Sequence, residues 1–184
     1  MQKLFRVLVL LVALVMAPLA AHAQATDLEN TLYLDIPAGR VVIKLRPDLA
    51  PNHVARIKEL VRKGFYDGLK FHRVIPGFMA QTGDPLGNGT GGSGKNIKAE
   101  FSKEHFGRGM VGMARSNSPD SADSQFFIVL GDAGFLDGKY TVFGQVDSGM
   151  ELVDKIKAGS EANNGAVANP DKIVRAQIAA DAKK

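Results

Sequence analysis

The segment FHRVIPGFMAQTGDP, residues 71–85, sets one arginine and one glutamine among bulky apolar side chains. In an extended chain alternate residues face the same side, so Arg73 shares a face with Ile75, and Met79 shares one with Gln81. Composition alone favours a plainer interpretation, in which the apolar residues form the core and Arg73 is solvated. Alternation argues against that interpretation, because it places polar groups beside exposed hydrophobic side chains.

A second segment, SQFFI at residues 124–128, places two aromatic residues side by side in a strand-like run. Successive side chains of a strand point to opposite faces, so Phe126 and Phe127 cannot both face the same core. One of the two is therefore expected to point inward and the other elsewhere.

Outward from these segments, the chain shows short apolar runs separated by turn residues. The runs that predict strands lie at residues 31–36, 40–45, 110–114, 125–130, 141–146 and 173–178. Pro37-Ala38-Gly39 predicts a hairpin turn between the first two runs. Many short strands with frequent turns indicate a β-barrel or a β-sandwich, and periodicity does not distinguish the two.

Two helices are predicted as covers of this sheet. Pro51 suits a first helical position, and the apolar stripe that follows it at helical spacing ends at Gly64. Ser148 with Glu151 three residues later predicts a capping box at the start of the second helix.

The glycine-rich stretch GNGTGGSGKN, residues 87–96, imitates two phosphate-binding patterns. Gly87, Gly89 and Gly92 have dinucleotide-binding spacing, and residues 89–95 match a P-loop except for Asn96, which stands in place of its Ser or Thr. Both sites need a buried strand before the loop and a helix after it. Neither is predicted here, so we expect a tight surface loop in which glycines adopt positive φ.

The N-terminus differs from the rest of the chain. Two basic residues precede an unbroken apolar run at 7–21, and Ala21-His22-Ala23 supplies a small–x–small cleavage pattern. The run is shorter than the roughly 20 residues that span a bilayer, which argues against the alternative of an uncleaved anchor. The sequence predicts a signal peptide over residues 1–23, cleavage before Gln24 and one domain over 24–184.

Composition limits the classes of function. The 184 residues carry a net charge of only +4 with scattered basic residues, which does not favour a nucleic-acid partner. The absence of cysteine excludes disulfides, thiolate metal sites and a lipidated N-terminal cysteine. His53, His72 and His105 lack the spacing of metal ligands, so neither a metal nor a cofactor is predicted.

Four motifs, in chain order, carry a resemblance to a known family. FHRVIPGFMAQTGDP, NGTGG at residues 88–92, SQFFI and FLDGKYTVFGQV at 135–146 resemble the cyclophilins, and the similarity runs from about residue 30 to 178. With its N-terminal segment, the chain is most similar to periplasmic cyclophilins of Gram-negative bacteria. The resemblance implies a mainly β fold, an eight-stranded antiparallel β-barrel capped by two α-helices. It also implies peptidyl-prolyl cis–trans isomerase activity that assists the folding of exported proteins.

The resemblance further implies a set of site residues, with Arg73 as the catalytic residue. Those that match substrate-binding positions are Phe78, Met79, Gln81, Gly89, Ala114, Arg115, Gln125, Phe127, Phe135, Leu136 and Tyr140. Three of them depart from common family residues: Arg115 stands in place of asparagine, Phe135 in place of tryptophan and Tyr140 in place of histidine. The implied partners are proline-containing polypeptides bound by a monomer without a membrane anchor, and the loss of tryptophan implies weak cyclosporin binding.

Two other functional classes were weighed against an isomerase. A cyclophilin-like barrel could serve as a non-catalytic peptide-binding module, because fold does not fix function. The presence of Arg73, Phe78, Gln81 and Phe127 argues against this alternative. A hydrolase is disfavoured because the sequence has no nucleophile-elbow motif and no Ser or Cys with a recognisable base.

Overall fold

The computed structural model describes residues 27–182. The predicted signal peptide, residues 1–23, and its cleavage site before Gln24 lie outside the described residues. The strands are β1 Thr31–Ile36, β2 Gly39–Leu45, β3 Arg73–Ile75, β4 Met79–Thr82, β5 Met110–Met113, β6 Phe126–Val129, β7 Val142–Ser148 and β8 Arg175–Ile178. The α-helices with assigned bounds are α1 Pro51–Arg62 and α2 Met150–Val153, and short 3-10 turns lie at Pro119–Ser121, Gly134–Leu136, Glu161–Asn163 and Ala179–Asp181.

The eight strands form one curled antiparallel sheet in the order β3-β4-β6-β5-β7-β2-β1-β8. Its two edges are joined by backbone hydrogen bonds outside the named strands. The Phe71 amide donates to the Asp171 carbonyl over 2.9 Å, and the Ile173 amide donates to the Leu69 carbonyl over 2.8 Å. The structure thus confirms the mainly β fold with eight antiparallel strands, and the hairpin that joins β1 to β2 is confirmed as well.

The first predicted helix is confirmed, while the capping box of the second is wrong. In α1, Pro51 occupies the first helical position, and Gly64 has φ 66° just beyond the last turn. In α2 the residue before the helix is Gly149 with φ 87°, and no side chain caps it. Ser148 is instead the last residue of β7, where it pairs with Val42. Its backbone is held by the sheet, and α2 is reduced to a single turn.

Two apolar cores lie on the two faces of the sheet. Alternation along the strands separates them: Phe126 belongs to the larger core beneath α1, whereas Phe127 belongs to a smaller core on the other face. Both phenylalanines are at most 4% exposed. Each buried side chain of this size contributes about 1.5–3 kcal/mol. The expectation that the two rings point to opposite faces is confirmed, and the smaller core forms the base of the candidate site.

Candidate active site

Four residues from four strands form one lateral row on the face of the sheet that carries the smaller core. Arg73 on β3 pairs with Gln81 on β4, Gln81 pairs with Phe127 on β6, and Phe127 pairs with Gly112 on β5. Residues that oppose each other across a ladder share a face, so the row brings a cation, an amide and an aromatic ring together. Antiparallel pairing alone produces this juxtaposition.

A cavity of about 110 Å³ opens above the row. We call it the apolar cavity because six of its nine lining residues are apolar or aromatic. Its lining residues are Arg73, Phe78, Met79, Gln81, Ala114, Arg115, Phe127, Leu136 and Tyr140. Tyr140 meets the Phe127 ring edge-on, with ring centroids 6.0 Å apart, and Phe106 stacks against Phe127 at 5.8 Å. The stacking requires Gly112, since a Cβ there would lie 2.6 Å from both the Phe106 and the Phe127 ring. The ring that forms the base of the cavity is therefore held by two neighbouring rings.

Arg73 lies at the polar end of the cavity, held by neutral acceptors. Its Nε donates to the backbone carbonyl of Asn164 and its Nη2 to the Asn164 side-chain oxygen, each over 3.0 Å. Its Nη1 donates to Gln81 Oε1 over 3.2 Å. Burial lowers the pKa of the guanidinium from its ordinary value, but arginine remains charged at any physiological pH. The site thus holds a fixed cation whose charge is not neutralised by a carboxylate.

A chain of amides leads from Arg73 into a second, polar cavity. Gln81 Nε2 donates to Gln125 Oε1 over 2.9 Å, and Gln125 Nε2 donates to the carbonyls of Gly89 and Gly91. This cavity of about 260 Å³ shares Gln81, Ala114 and Arg115 with the apolar one. The two cavities form one continuous groove, apolar at one end and polar at the other.

Arg115 lies between the two cavities and is half-buried. Its guanidinium is 4.5 Å from the centroid of the Tyr140 ring and donates to the backbone carbonyls of Lys139 and Ser116. The planar cation covers the aromatic wall and is anchored by backbone, so it adds positive charge to the groove at a fixed position.

The glycine-rich loop at residues 87–96 is held by the carboxylates of two residues outside it, Asp84 and Asp123. Asp84 accepts the amides of Leu86, Asn88 and Gly89, and Asp123 accepts those of Gly94 and Lys95. Burial would raise the pKa of Asp84, but these amide hydrogen bonds lower it below its ordinary value. The amides that a phosphate would need are therefore occupied by the protein's own anions. Gly87, Gly89 and Gly94 have φ of 67°, 93° and 85°, as expected for a tight loop.

The structure places the twelve predicted site residues in three groups. Nine line the apolar cavity, while Gly89 and Gln125 line the adjoining polar one. Phe135 lies at the rim, 61% exposed, with its ring centroid 5.2 Å from that of Phe78. Sequence reasoning missed Asn164 and Gly112. The Asn164-Gly165 pair marks a turn, but nothing local indicates that it lies beside Arg73.

Two further features bear on function, clusters of metal ligands and helices that could span a membrane. Within residues 27–182, no group of three or more His, Cys, Asp or Glu is placed to hold a metal ion. No helix in that part of the chain is both long and apolar enough to cross a bilayer.

Comparisons with known proteins agree on one family. The family model described as cyclophilin type peptidyl-prolyl cis-trans isomerase/CLD matches residues 31–178. A probable peptidyl-prolyl cis-trans isomerase of Brucella suis is 61% identical over 173 residues, covering 88% of each chain. Peptidyl-prolyl cis-trans isomerase cypE of Dictyostelium discoideum is 42% identical, covering 80% of this chain and 97% of its own.

Solved structures give the same result. A cyclophilin from Hirschia baltica is similar with a TM-score of 0.76 and 28% identity, covering 85% of this chain and 76% of its own. A cyclophilin-type isomerase of Cryptosporidium parvum, determined in the presence of the dipeptide Ala-Pro, has a TM-score of 0.73 at 25% identity. It covers 80% of this chain and 98% of its own.

Proposed function

Because the chain belongs to the cyclophilin-type peptidyl-prolyl cis–trans isomerases, it catalyses rotation about the peptide bond before proline, and we propose that Arg73 is the residue that accelerates this rotation. The observation that carries the proposal is the fixed guanidinium at the polar end of the apolar cavity. The proline ring occupies that cavity, and the substrate backbone lies along the polar part of the groove. A similar isomerase, that of Cryptosporidium parvum, was determined in the presence of Ala-Pro, which supports a proline-containing ligand.

The barrier that the enzyme must lower is electronic. Resonance gives the C–N bond partial double-bond character and a rotation barrier of about 18–20 kcal/mol. Cis and trans forms before proline are close in energy, and uncatalysed exchange takes tens to hundreds of seconds. In the twisted transition state the nitrogen lone pair leaves conjugation and becomes a hydrogen-bond acceptor. A donor held beside that nitrogen stabilises the transition state more than the planar ground state, which is the requirement for catalysis.

Arg73 meets this requirement with the N–H donors that Asn164 and Gln81 do not engage. A guanidinium carries five N–H bonds, and three of them are engaged by Asn164 and Gln81. Of the two that remain, one on Nη1 contacts Met79 Sδ at 3.9 Å, which is a weak acceptor, and one is on Nη2. Both belong to a side chain that lines the cavity. The ring is held by Phe127 and its neighbours, while Gln81 and Gln125 hold the flanking backbone. One side of the bond can then rotate against the other without any proton transfer.

The test is Arg73→Ala, with Arg175→Ala as the matched control. Arg175 is an exposed residue of β8 and lines neither cavity. We expect Arg73→Ala to lower kcat about 10²–10³-fold, by analogy with the loss of other preorganised donors. Thermal unfolding should stay close to wild type. Exchange of an X-Pro peptide followed by NMR measures the rate, and a folded Arg73→Ala protein with wild-type turnover would refute the mechanism.

We further propose that the substrates are proline-containing segments of exported proteins that fold in the periplasm, where the enzyme assists their folding as a chaperone. The predicted signal peptide of residues 1–23 supports this proposal. Both cavities are lined by residues of one chain, so the proposed mechanism needs no residue from a second copy.

The location is tested by fractionating cells that produce the full chain and measuring the mass of the mature protein. We expect a periplasmic protein that begins at Gln24. A cytoplasmic protein that retains residues 1–23 would contradict the proposed compartment and leave the isomerase chemistry untouched.

A further inference from the structure

Asn164 has an unusual backbone conformation beside the active site. Its φ is 51°, in the left-handed region that a non-glycine residue enters at a cost of about 1–2 kcal/mol. Asparagine tolerates that region better than most residues. It follows the 3-10 turn Glu161–Asn163 and is exposed to solvent. The rest of the structure must therefore hold this conformation in place.

The backbone around Asn164 is bound to the edge of the sheet. The amide of Val74 donates to the Gly165 carbonyl over 2.8 Å, and the amide of Gly159 donates to the Val74 carbonyl over 2.9 Å. The Gly165 amide in turn donates to the Ser160 carbonyl over 2.8 Å. This segment covers the free edge of β3, next to Arg73 itself. These hydrogen bonds hold the backbone of Asn164 in place beside Arg73, although the two residues are 91 apart along the chain.

The left-handed turn lets one residue present two acceptors to one guanidinium. The Asn164 carbonyl accepts from Arg73 Nε and the Asn164 amide oxygen accepts from Nη2, each over 3.0 Å. Two contacts on different nitrogens fix both the position and the plane of the cation, whereas a single contact would allow it to rotate. Both acceptors are neutral, so the cation keeps its full charge for the substrate.

We propose that Asn164 is a positioning residue for the isomerisation: it fixes the plane of the Arg73 guanidinium so that the free N–H bonds point at the twisted amide. This inference rests on the proposed role of Arg73. It predicts that losing the Asn164 side chain lowers turnover much more than substrate binding, because the ground-state contacts of the proline ring lie elsewhere in the cavity.

The test variant is Asn164→Gly, which accepts a positive φ and keeps the backbone carbonyl but removes the side-chain acceptor. Asn169→Gly is the matched control. Asn169 has φ 53°, is exposed in the same segment and makes no side-chain hydrogen bond within the described residues. Asn164→Asp separates fixation from charge, because it keeps an acceptor and tolerates the same φ but places a carboxylate beside the guanidinium.

We expect Asn164→Gly to lower kcat about 2–10-fold, the range that corresponds to one ordinary hydrogen bond, because this contact is exposed to solvent. KM should stay within about twofold by the same reasoning. Asn169→Gly should match wild type, whereas Asn164→Asp should lower turnover, because its carboxylate offsets the charge of the cation that it fixes. In 1H–15N spectra the Arg73 Nε–H signal should be sharp in wild type and broadened or shifted in Asn164→Gly.

A double-mutant cycle separates positioning from a general structural effect. In an Arg73→Ala background, Asn164→Gly should cause no further loss of turnover, because there is no guanidinium left to position. If the loss persists there, or if Asn164→Gly behaves like Asn169→Gly while Arg73→Ala is crippled, the inference is wrong and the role of Arg73 stands. Full activity of Arg73→Ala would overturn both.

Discussion

The two arginines of the groove differ from most other arginines of the described chain in their partners. Arg73 and Arg115 donate to carbonyl and amide oxygens. The arginines that pair with a carboxylate instead are Arg40, Arg46, Arg56, Arg62 and Arg108. A neutral acceptor fixes a guanidinium without cancelling its charge, which suits a residue that must stabilise electron density on a substrate.

Phe135 is the residue for which the sequence predicts a change in ligand preference. It packs on Phe78 at the rim and exposes 61% of its surface. A tryptophan there would add an N–H donor that phenylalanine lacks. A carbonyl of cyclosporin left without that partner costs about 1–3 kcal/mol, equivalent to roughly five- to over a hundred-fold in affinity. We therefore predict weak cyclosporin binding that Phe135→Trp strengthens.

Calorimetry on wild type and Phe135→Trp measures this difference, with isomerase turnover followed in parallel. Turnover should change little, because the proline ring requires shape from this wall and no hydrogen bond. Equal cyclosporin affinity of the two proteins would show that the missing donor is not the determinant.

At the scale of elements, helix α1 is capped by a side chain from a distant loop. Ala50, the residue before the helix, offers no capping side chain. Glu100 accepts instead from the amides of Asn52 and His53, and also contacts His53 Nδ1 at 2.6 Å. Burial would raise the pKa of Glu100, but the hydrogen bonds from His53 and Asn52 lower it below its ordinary value. One carboxylate thus joins α1 to the loop that precedes β5.

Glu100→Ala should lower the free energy of unfolding by about 1–3 kcal/mol, because it leaves helix amides uncapped and a buried imidazole without its acceptor. Glu104→Ala is the matched control, since that side chain is 39% exposed and its ion pair with Arg46 is at the long distance of 4.0 Å. It should change stability by less than about 0.5 kcal/mol. Urea denaturation gives both values, and equal effects of the two substitutions would disprove the capping role.

At the scale of the whole molecule, stability between about pH 5 and 7.5 responds to pH through two histidines whose pKa values shift in opposite directions on folding. Burial lowers the pKa of His72, although Asp84 opposes this and Arg73 adds to it. A hydrogen bond and ion pair with Asp137 raise the pKa of the exposed His105. In the unfolded chain both titrate near 6.5. At His72 the unfolded state binds a proton more readily than the folded state, so protonation favours unfolding. At His105 the folded state binds a proton more readily than the unfolded state, so protonation favours folding.

Lowering the pH from about 7.5 to 5 should therefore destabilise wild type relative to His72→Gln, since the stabilisation from neutral His72 is lost as the pH falls through 6.5 toward its folded pKa. The same change of pH should stabilise wild type relative to His105→Gln. The stabilisation by charged His105 is fully present below pH 6.5 and fades as the pH rises through the folded-state pKa of His105. Urea unfolding at several pH values tests both. Curves of wild type and His72→Gln that stay parallel would contradict the assignment.

The sequence by itself determined the local features of this protein. Alternation predicted that Phe126 and Phe127 face opposite ways, and Pro51 with Gly64 bounded α1, because strand and helix periodicities depend on neighbouring residues. The resemblance over residues 30–178, which includes segment 71–85, predicted the residues of the apolar cavity. The exception among the local predictions was Ser148, whose capping pattern was overridden by its pairing in β7.

Only the tertiary structure decided which segments meet. Arg73, Gln81, Phe127 and Gly112 share one row because β3, β4, β6 and β5 are neighbours, an order that differs from the order along the chain. Asn164 reaches Arg73 because its segment covers the free edge of β3. Local pattern fixes which face a side chain occupies, but the partner across the ladder is chosen by the packing of the whole barrel, to which every strand contributes.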